Sequence, residues 1–210
     1  MGGEALGAFE PRKTPVQARA AVTVEAISEA TIQVLLAHGA DRLTTTRVAE
    51  RAGVSVGTLY QYYPNKQSLL FAVLEDHLDR VATSVEAACE RSRRKPLAEM
   101  VKHVVEAYVG AKLERPDISM ALYKVAANVG GPALVKRAGQ RSRKAIEQVL
   151  KTAPDADLPH DKFAVDMMFA AMAGATRSVL EAGASSSAIR KLREHLVLLC
   201  QLYMAAVTQR

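Results

Sequence analysis

The chain has 210 residues, of which 49% are apolar, 24% charged and 5% aromatic, the make-up of a folded globular protein and not of a disordered or collagen-like one. Its net charge of +6 invites an anionic partner, but residues 1–66 carry 7 Lys/Arg against 6 Asp/Glu while residues 97–210 carry 16 against 11. Bulk basicity therefore marks no nucleic-acid-binding region, and local geometry has to do so.

Met1 to Lys13 contains Glu4 and Glu10 and no apolar core, so a secretory leader is not expected there, and Leu6 stands where a myristoylation motif wants Ser or Thr. Residues 1–18 are expected to form a flexible arm, with Arg12 and Lys13 either following DNA or simply solvated. The first helix is expected from Val22 to Ala37, with Val24, Ile27, Thr31, Val34 and Leu35 on one face and Gly39 ending it. Two short helices follow, Thr45 to Ala52 and Val56 to Tyr62. Pro64 and Asn65 then break the chain and cap a long helix to Arg91, whose Leu69, Leu70, Val73, Leu74, Leu78, Val81 and Val85 recur at helical spacing. Further helices are expected near Leu97–Leu113, Asp117–Asn128, Pro132–Thr152, Asp161–Ala182 and Ser186–Thr208, separated by Gly and Pro. No strand-type alternation competes with this all-α reading. The expected division is an arm (1–18), a small module (19–66) and a larger helical domain (67–210) that share the long fourth helix.

The chemistry concentrates in TTTRVAERAGVSVGTLYQYYPNKQSLL, residues 44–70. Thr44 suits an N-cap, Val48, Ala49 and Ala52 make a compact apolar face, Gly53 permits a sharp turn, and Ser55 caps a second helix anchored by Val54 and Leu59. This is a helix-turn-helix pattern; a plain surface hairpin is the alternative. The outward face of the second helix presents Val56, Gly57, Thr58, Tyr60 and Tyr62, small or hydroxyl-bearing groups that let a backbone approach base edges in a major groove. Thr45, Thr46, Tyr60, Tyr62 and Lys66, with the free amides opening the fourth helix, are the expected phosphate donors. Tyr63, next to Pro64, is expected in the core.

GVSVGTLYQYYPNKQSLL resembles the DNA-binding signature of the tetracycline-repressor (TetR) family of bacterial transcriptional regulators, and the likeness covers about Ala20 to Leu74. Tyr63 stands where Phe is usual and Gln67 where an acid often caps the fourth helix. The resemblance implies an N-terminal three-helix DNA-binding module, a C-terminal ligand-binding domain and homodimerisation. It places operator contacts at Thr45, Thr46, Ser55, Val56, Gly57, Thr58, Tyr60, Tyr62 and Lys66. It also implies a repressor that leaves double-stranded operator DNA when an unknown small-molecule effector binds, the fourth helix acting as lever. An adaptor that keeps the motif but has lost DNA binding is the alternative.

In the last two helices Ile189, Leu192, Leu196, Leu199, Tyr203 and Ala206, and Val165, Met168, Met172, Ala175, Val179 and Ala182, repeat with alternating spacings of three and four. Leu198 and Leu202 add a second strip. The expectation is a four-helix dimer seam formed by Met168, Met172, Ala175, Val179, Ile189, Leu192, Leu196, Leu199 and Tyr203, with an intramolecular core as the alternative. His103, Tyr108, Met120, Tyr123, Met168 and Met172 are the candidate effector-pocket residues, ordinary core being their alternative. Lys136, Arg137, Arg141, Arg143 and Lys144 read as a solvated basic face. The five histidines lack metal-ligand spacing, Cys89 and Cys200 lack a CxxC partner, and there is no nucleophile elbow, no phosphate loop and no acid pair isolated in an apolar context. Neither an enzyme nor a metal or cofactor is expected. The longest uncharged run, His195 to Gln209, is short for a membrane span, so the protein is expected in the cytoplasm with no membrane partner.

Overall fold

The computed structural model describes residues 18–158 and 162–208, and every regular element within them is helical. The helices are α1 (Ala18–Arg42), α2 (Thr45–Ala52), α3 (Val56–Tyr62), α4 (Lys66–Arg91), α5 (Leu97–Leu113), α6 (Pro116–Ala126), α7 (Gly131–Leu150), α8 (Phe163–Glu181) and α9 (Ser186–Thr208). A 3₁₀ turn at Ala127–Val129 takes the end of the helix expected to reach Asn128. The expected arm, with Arg12 and Lys13, lies outside the described residues, as do His160 and Asp161.

Contacts group the chain into two compact units, Met1–Leu78 with Asp117–Val135, and Asp79–Pro116 with Lys136–Arg210. The division between these contact units falls inside α4. The first turns of α4 bury Leu69, Leu70, Phe71, Val73 and Leu74, and an apolar row of that length fixes a helix to the unit it helps to build, each such side chain being worth roughly 1.5–3 kcal/mol.

In the first unit α1 packs on α2, and α2 on α3. Ile27, Val34 and Leu35 of α1, Val48 and Ala49 of α2, and Leu59 of α3 are buried. The expected stop at Gly39 is a break and not an end: Gly39 adopts φ 74°, ψ 170°, and one further turn runs to Arg42.

In the second unit α9 packs on α5 and on α8, and α5 also meets α8. α8 buries Val165, Met168, Met172, Thr176 and Leu180, and α9 buries Leu192, Leu196, Cys200 and Met204. From Met168 and from Leu192 onward, both buried rows step by four. The proposed dimer seam is therefore split: Met168, Met172, Leu192 and Leu196 belong to the subunit's own core and have almost no surface left to give to a partner. Ala175, Val179, Ile189 and Tyr203 are half-exposed, and Leu199 is exposed together with Leu198 and Leu202.

The basic cluster is likewise not one solvated face. Arg141 forks onto Glu86, with Nε to Oε1 at 3.0 Å and Nη2 to Oε2 at 2.7 Å, and also pairs with Asp79. Arg143 pairs with Asp166 at 3.2 Å and lies 5.0 Å over the ring of Phe169. Among the described residues, two helices, Ala20–Arg42 (mean hydropathy 1.4) and Phe163–Glu181 (1.3), are long and apolar enough to cross a bilayer, although charges interrupt both, Glu25 and Glu29 in α1 and Asp166 and Arg177 in α8.

Candidate nucleic-acid interface

The local structure of the motif follows from its caps. Thr44 is extended (φ −130°, ψ 151°) and its hydroxyl accepts the Arg47 amide at 3.3 Å, which starts α2. At the other end Gly53 takes the left-handed conformation (φ 68°, ψ 28°), its N–H bonding the Glu50 carbonyl and that of Val54 the Ala49 carbonyl. These paired bonds close a helix and reverse the chain at once, and the positive φ is why glycine sits there. Ser55 then caps α3, its oxygen accepting the Thr58 amide at 2.9 Å.

The turn leaves Ser55, Val56, Gly57 and Tyr60 exposed and Thr58 half-buried, while Leu59 is fully buried beneath them. Gly57 has an ordinary helical backbone, and a Cβ built there would meet only Ser55 Oγ, at 3.7 Å. Nothing inside the protein requires glycine at this position. A helix-interior glycine costs about 0.5–1 kcal/mol relative to alanine, so the bare backbone is a surface kept clear at a small loss of stability.

The expected hydroxyl donors do not act singly. Thr45 Oγ1 and Tyr60 Oη lie 3.1 Å apart, as do Ser55 Oγ and Thr58 Oγ1 at 2.8 Å. Each pair spends one hydrogen internally and keeps one for an outside acceptor, so four hydroxyls offer two donors. Thr46 is exposed, and the half-buried Tyr62 makes no hydrogen bond to a described residue. Tyr63 is buried, as expected of a core residue, and desolvation followed by the charge of Asp76 pushes its hydroxyl up to about 12.

Lys66 has a second duty that the sequence reading did not anticipate. Its Nζ donates to the Ala40 carbonyl at 3.2 Å, and Arg47 Nη1 donates to the Arg42 carbonyl at 2.6 Å. The break at Gly39 exposes the last carbonyls of α1, and cations from α2 and α4 satisfy them. That the break leaves acceptors without helical partners was the signal available in the sequence. Two of the three N–H groups of Lys66 stay available. Beside it Asn65 Oδ1 caps α4 by accepting the Ser68 amide at 2.8 Å and the Ser68 hydroxyl at 3.0 Å.

The expected pocket residues separate. Met120 and Tyr123 belong to the first unit, His103, Tyr108, Met168 and Met172 to the second. Tyr108, Met168 and Met172 are buried, Tyr108 meeting Phe169 edge-on with ring centroids 5.5 Å apart. His103 lies on an open cleft.

The sequence pattern described as bacterial regulatory proteins, tetR family, matches residues 27–73, and that described as tetracyclin repressor-like, C-terminal domain, matches residues 96–204, half of the chain. The chain belongs to the TetR family. All nine candidate contact residues lie in the first matched stretch. Among curated proteins, the HTH-type transcriptional repressor KstR of Mycolicibacterium smegmatis is 37% identical over 62 residues, 30% of either chain. The nucleoid occlusion factor SlmA of Glaesserella parasuis is 31% identical over 85 residues, 40% of this chain and 41% of that protein. The chain thus spans between 26% and 51% of the length of the curated relatives it matches. Among solved structures, a Mesorhizobium loti protein assigned as a TetR-family transcriptional regulator aligns with TM-score 0.74 at 16% identity, over 90% of this chain and 98% of that one. The fatty acid degradation regulator FadR of Bacillus halodurans aligns with TM-score 0.67 at 15% identity, over 88% and 96%. At such identities the TetR likeness in structure speaks for the fold alone.

Proposed function

We propose that this TetR-family protein is a homodimeric transcriptional repressor that binds an inverted-repeat operator in double-stranded DNA and leaves it when a small-molecule effector binds. The observation that carries the reading is the exposed, unencumbered backbone at Gly57. A major groove about 12 Å wide admits α3 only if its leading residues are small. Val56, 37% exposed beside it, can meet a thymine methyl but cannot read a donor or acceptor. Discrimination then rests on the neighbouring hydroxyls and on DNA shape. Thr45–Tyr60, Ser55–Thr58, Thr46, Tyr62 and Lys66 supply phosphate donors around that centre.

Residues 19–66 form the reading head, and residues 67–210 the half that dimerises and responds. A single seven-residue recognition helix reads few bases, and two-fold pairing doubles the site with half-sites about 34–36 Å apart. The outward part of the expected seam, Ala175, Val179, Ile189, Leu199 and Tyr203, joined by Leu198 and Leu202, is the surface for the second copy. α4 carries residues of both units, which makes it the candidate lever for an effector's differential affinity, typically 1–3 kcal/mol of coupling. The work is done in the cytoplasm, with no cofactor, membrane partner or catalysis in the scheme.

The match of residues 96–204 to a tetracyclin repressor-like domain, and the relation to the repressor KstR, favour this reading over an adaptor that no longer binds DNA. The test is fluorescence anisotropy on duplexes cut from the DNA flanking the gene, across about 50–200 mM salt. Repressor function predicts tight binding to one inverted repeat with steep salt dependence; no duplex binding at the lowest salt would leave the adaptor.

A further inference from the structure

Within the second unit, the end of α4 and the middle of α5 enclose a cleft of about 570 Å³ lined by Arg91, Lys95, His103 and Glu106, with Ala88 and Ala107 as its small apolar side chains. The fully buried Ser92 sets the chemistry of the histidine. Its hydroxyl donates to the Ala88 carbonyl at 2.7 Å, which uses its one hydrogen. The contact between Ser92 Oγ and His103 Nδ1 at 2.9 Å is then a hydrogen bond donated by the ring. This fixes the tautomer, and in the neutral imidazole Nε2 carries the lone pair. No described residue hydrogen-bonds that nitrogen.

The charges point to the ligand. Arg91 is exposed and makes no hydrogen bond or ion pair with a described residue. Lys95 pairs with Glu99 at 2.5 Å, and Lys102 reaches Glu106 only at 4.0 Å. Arg91 and Lys95 against Glu106 leave the lining of the cleft one positive charge, the complement of a monoanion and not of a phosphate dianion. The volume is that of a small-molecule site.

We propose that this cleft binds a small organic hydroxy-acid, its carboxylate received by Arg91 with Lys95 behind it and its hydroxyl donating to His103 Nε2. The role of such a ligand as effector rests on the repressor reading; the site itself does not. Ser92 acts as a positioning residue, holding the ring in the tautomer that accepts.

The experiment is a titration of the full chain, at about pH 8, with lactate, 3-hydroxybutyrate and 4-hydroxybenzoate, each against its own amide, reading the ring nitrogens of His103 by long-range ¹H–¹⁵N NMR. At least one acid is expected to shift the Nε2 signal saturably, with a Kd weakened about tenfold or more both for its amide and in Arg91→Gln. Ser92→Ala is expected to redistribute the two ring-nitrogen signals even without ligand. No shift with any of the acids at about 50 mM, a limit near the weakest specific binding, would overturn the proposal, and so would a shift that persists equally with the amide or in Arg91→Gln. Binding that obeys these rules yet leaves DNA affinity unchanged would establish the site and count against its being the effector site.

Discussion

The hydroxyls of Thr45, at the start of α2, and Tyr60, on the exposed side of α3, stand 3.1 Å apart. One hydrogen bond thus spans the two helices of the motif and leaves a single donor facing out. Removing either hydroxyl frees the other to turn toward a phosphate, so the pair is expected to behave non-additively on DNA. Tyr60→Phe and Thr45→Val should each change operator binding little, because one outward donor survives, and the double variant should weaken it by about 1 kcal/mol, exceeding the sum of the singles by at least about 0.5 kcal/mol. A double-mutant cycle by anisotropy, with melting curves for all four proteins, checks this.

Lys66 divides its ammonium between the Ala40 carbonyl and the space outside. Lys66→Ala should lower the slope of log K against log salt by about one and weaken all DNA sequences alike. It should also lower stability by about 0.5–1.5 kcal/mol through the lost bond to α1. Lys66→Arg is expected to retain both, which ties the two effects to the cation at this position.

The outward strip of α9 is expected to hold the second copy. Leu199 and Leu202 are 54% and 62% exposed, whereas Leu196 is 3% exposed. Leu199→Arg with Leu202→Arg should therefore give a folded monomer in analytical ultracentrifugation that binds the operator at least about a hundredfold more weakly, a loss of roughly 2.7 kcal/mol. Leu196→Ala should instead cost about 2–5 kcal/mol of folding stability and leave the dimer intact under native conditions.

Lys112, 4% exposed on α5, is held down to about 8 by desolvation. Its folded-state value is below the unfolded one, so between about pH 8 and 10.4 the unfolded chain binds more protons and stability rises with pH. Below about pH 8 both states are charged and the burial penalty is present in full, roughly 3 kcal/mol. Lys112→Met should flatten the pH dependence in that window and stabilise the protein at pH 7, as read from urea unfolding at several pH values.

Much of this was legible in the sequence because it is encoded locally. Thr44, Gly53 and Ser55 specify start, turn and restart within twelve residues, and the caps form where those residue types require them. What the sequence could not partition was the apolar surface of α8 and α9. A three-four alternation describes both an inward row and an outward one, and only packing on α5 shows that Met168, Met172, Leu192 and Leu196 point in while Leu199 points out. The second role of Lys66 and the clamp of Arg141 on Glu86 were hidden for a related reason. Each joins positions 26 and 55 residues apart, and charge runs carry no information on partners so distant.

Two glycines give the most direct trial of the account, because one is required by the fold and the other is not. Gly39, at φ 74° and ψ 170°, occupies a region nearly confined to glycine, and Gly39→Ala should cost about 1–3 kcal/mol although the space around it is open. Gly57→Ala should stabilise the protein by up to about 1 kcal/mol and yet weaken operator binding at least about tenfold, with Gly57→Leu weakening it further. Operator affinity of Gly57→Ala and Gly57→Leu, measured beside their melting temperatures, decides the matter. Opposite signs on stability and DNA binding are predicted, and operator binding that survives Gly57→Leu undiminished would contradict the claim that α3 brings its backbone against the bases.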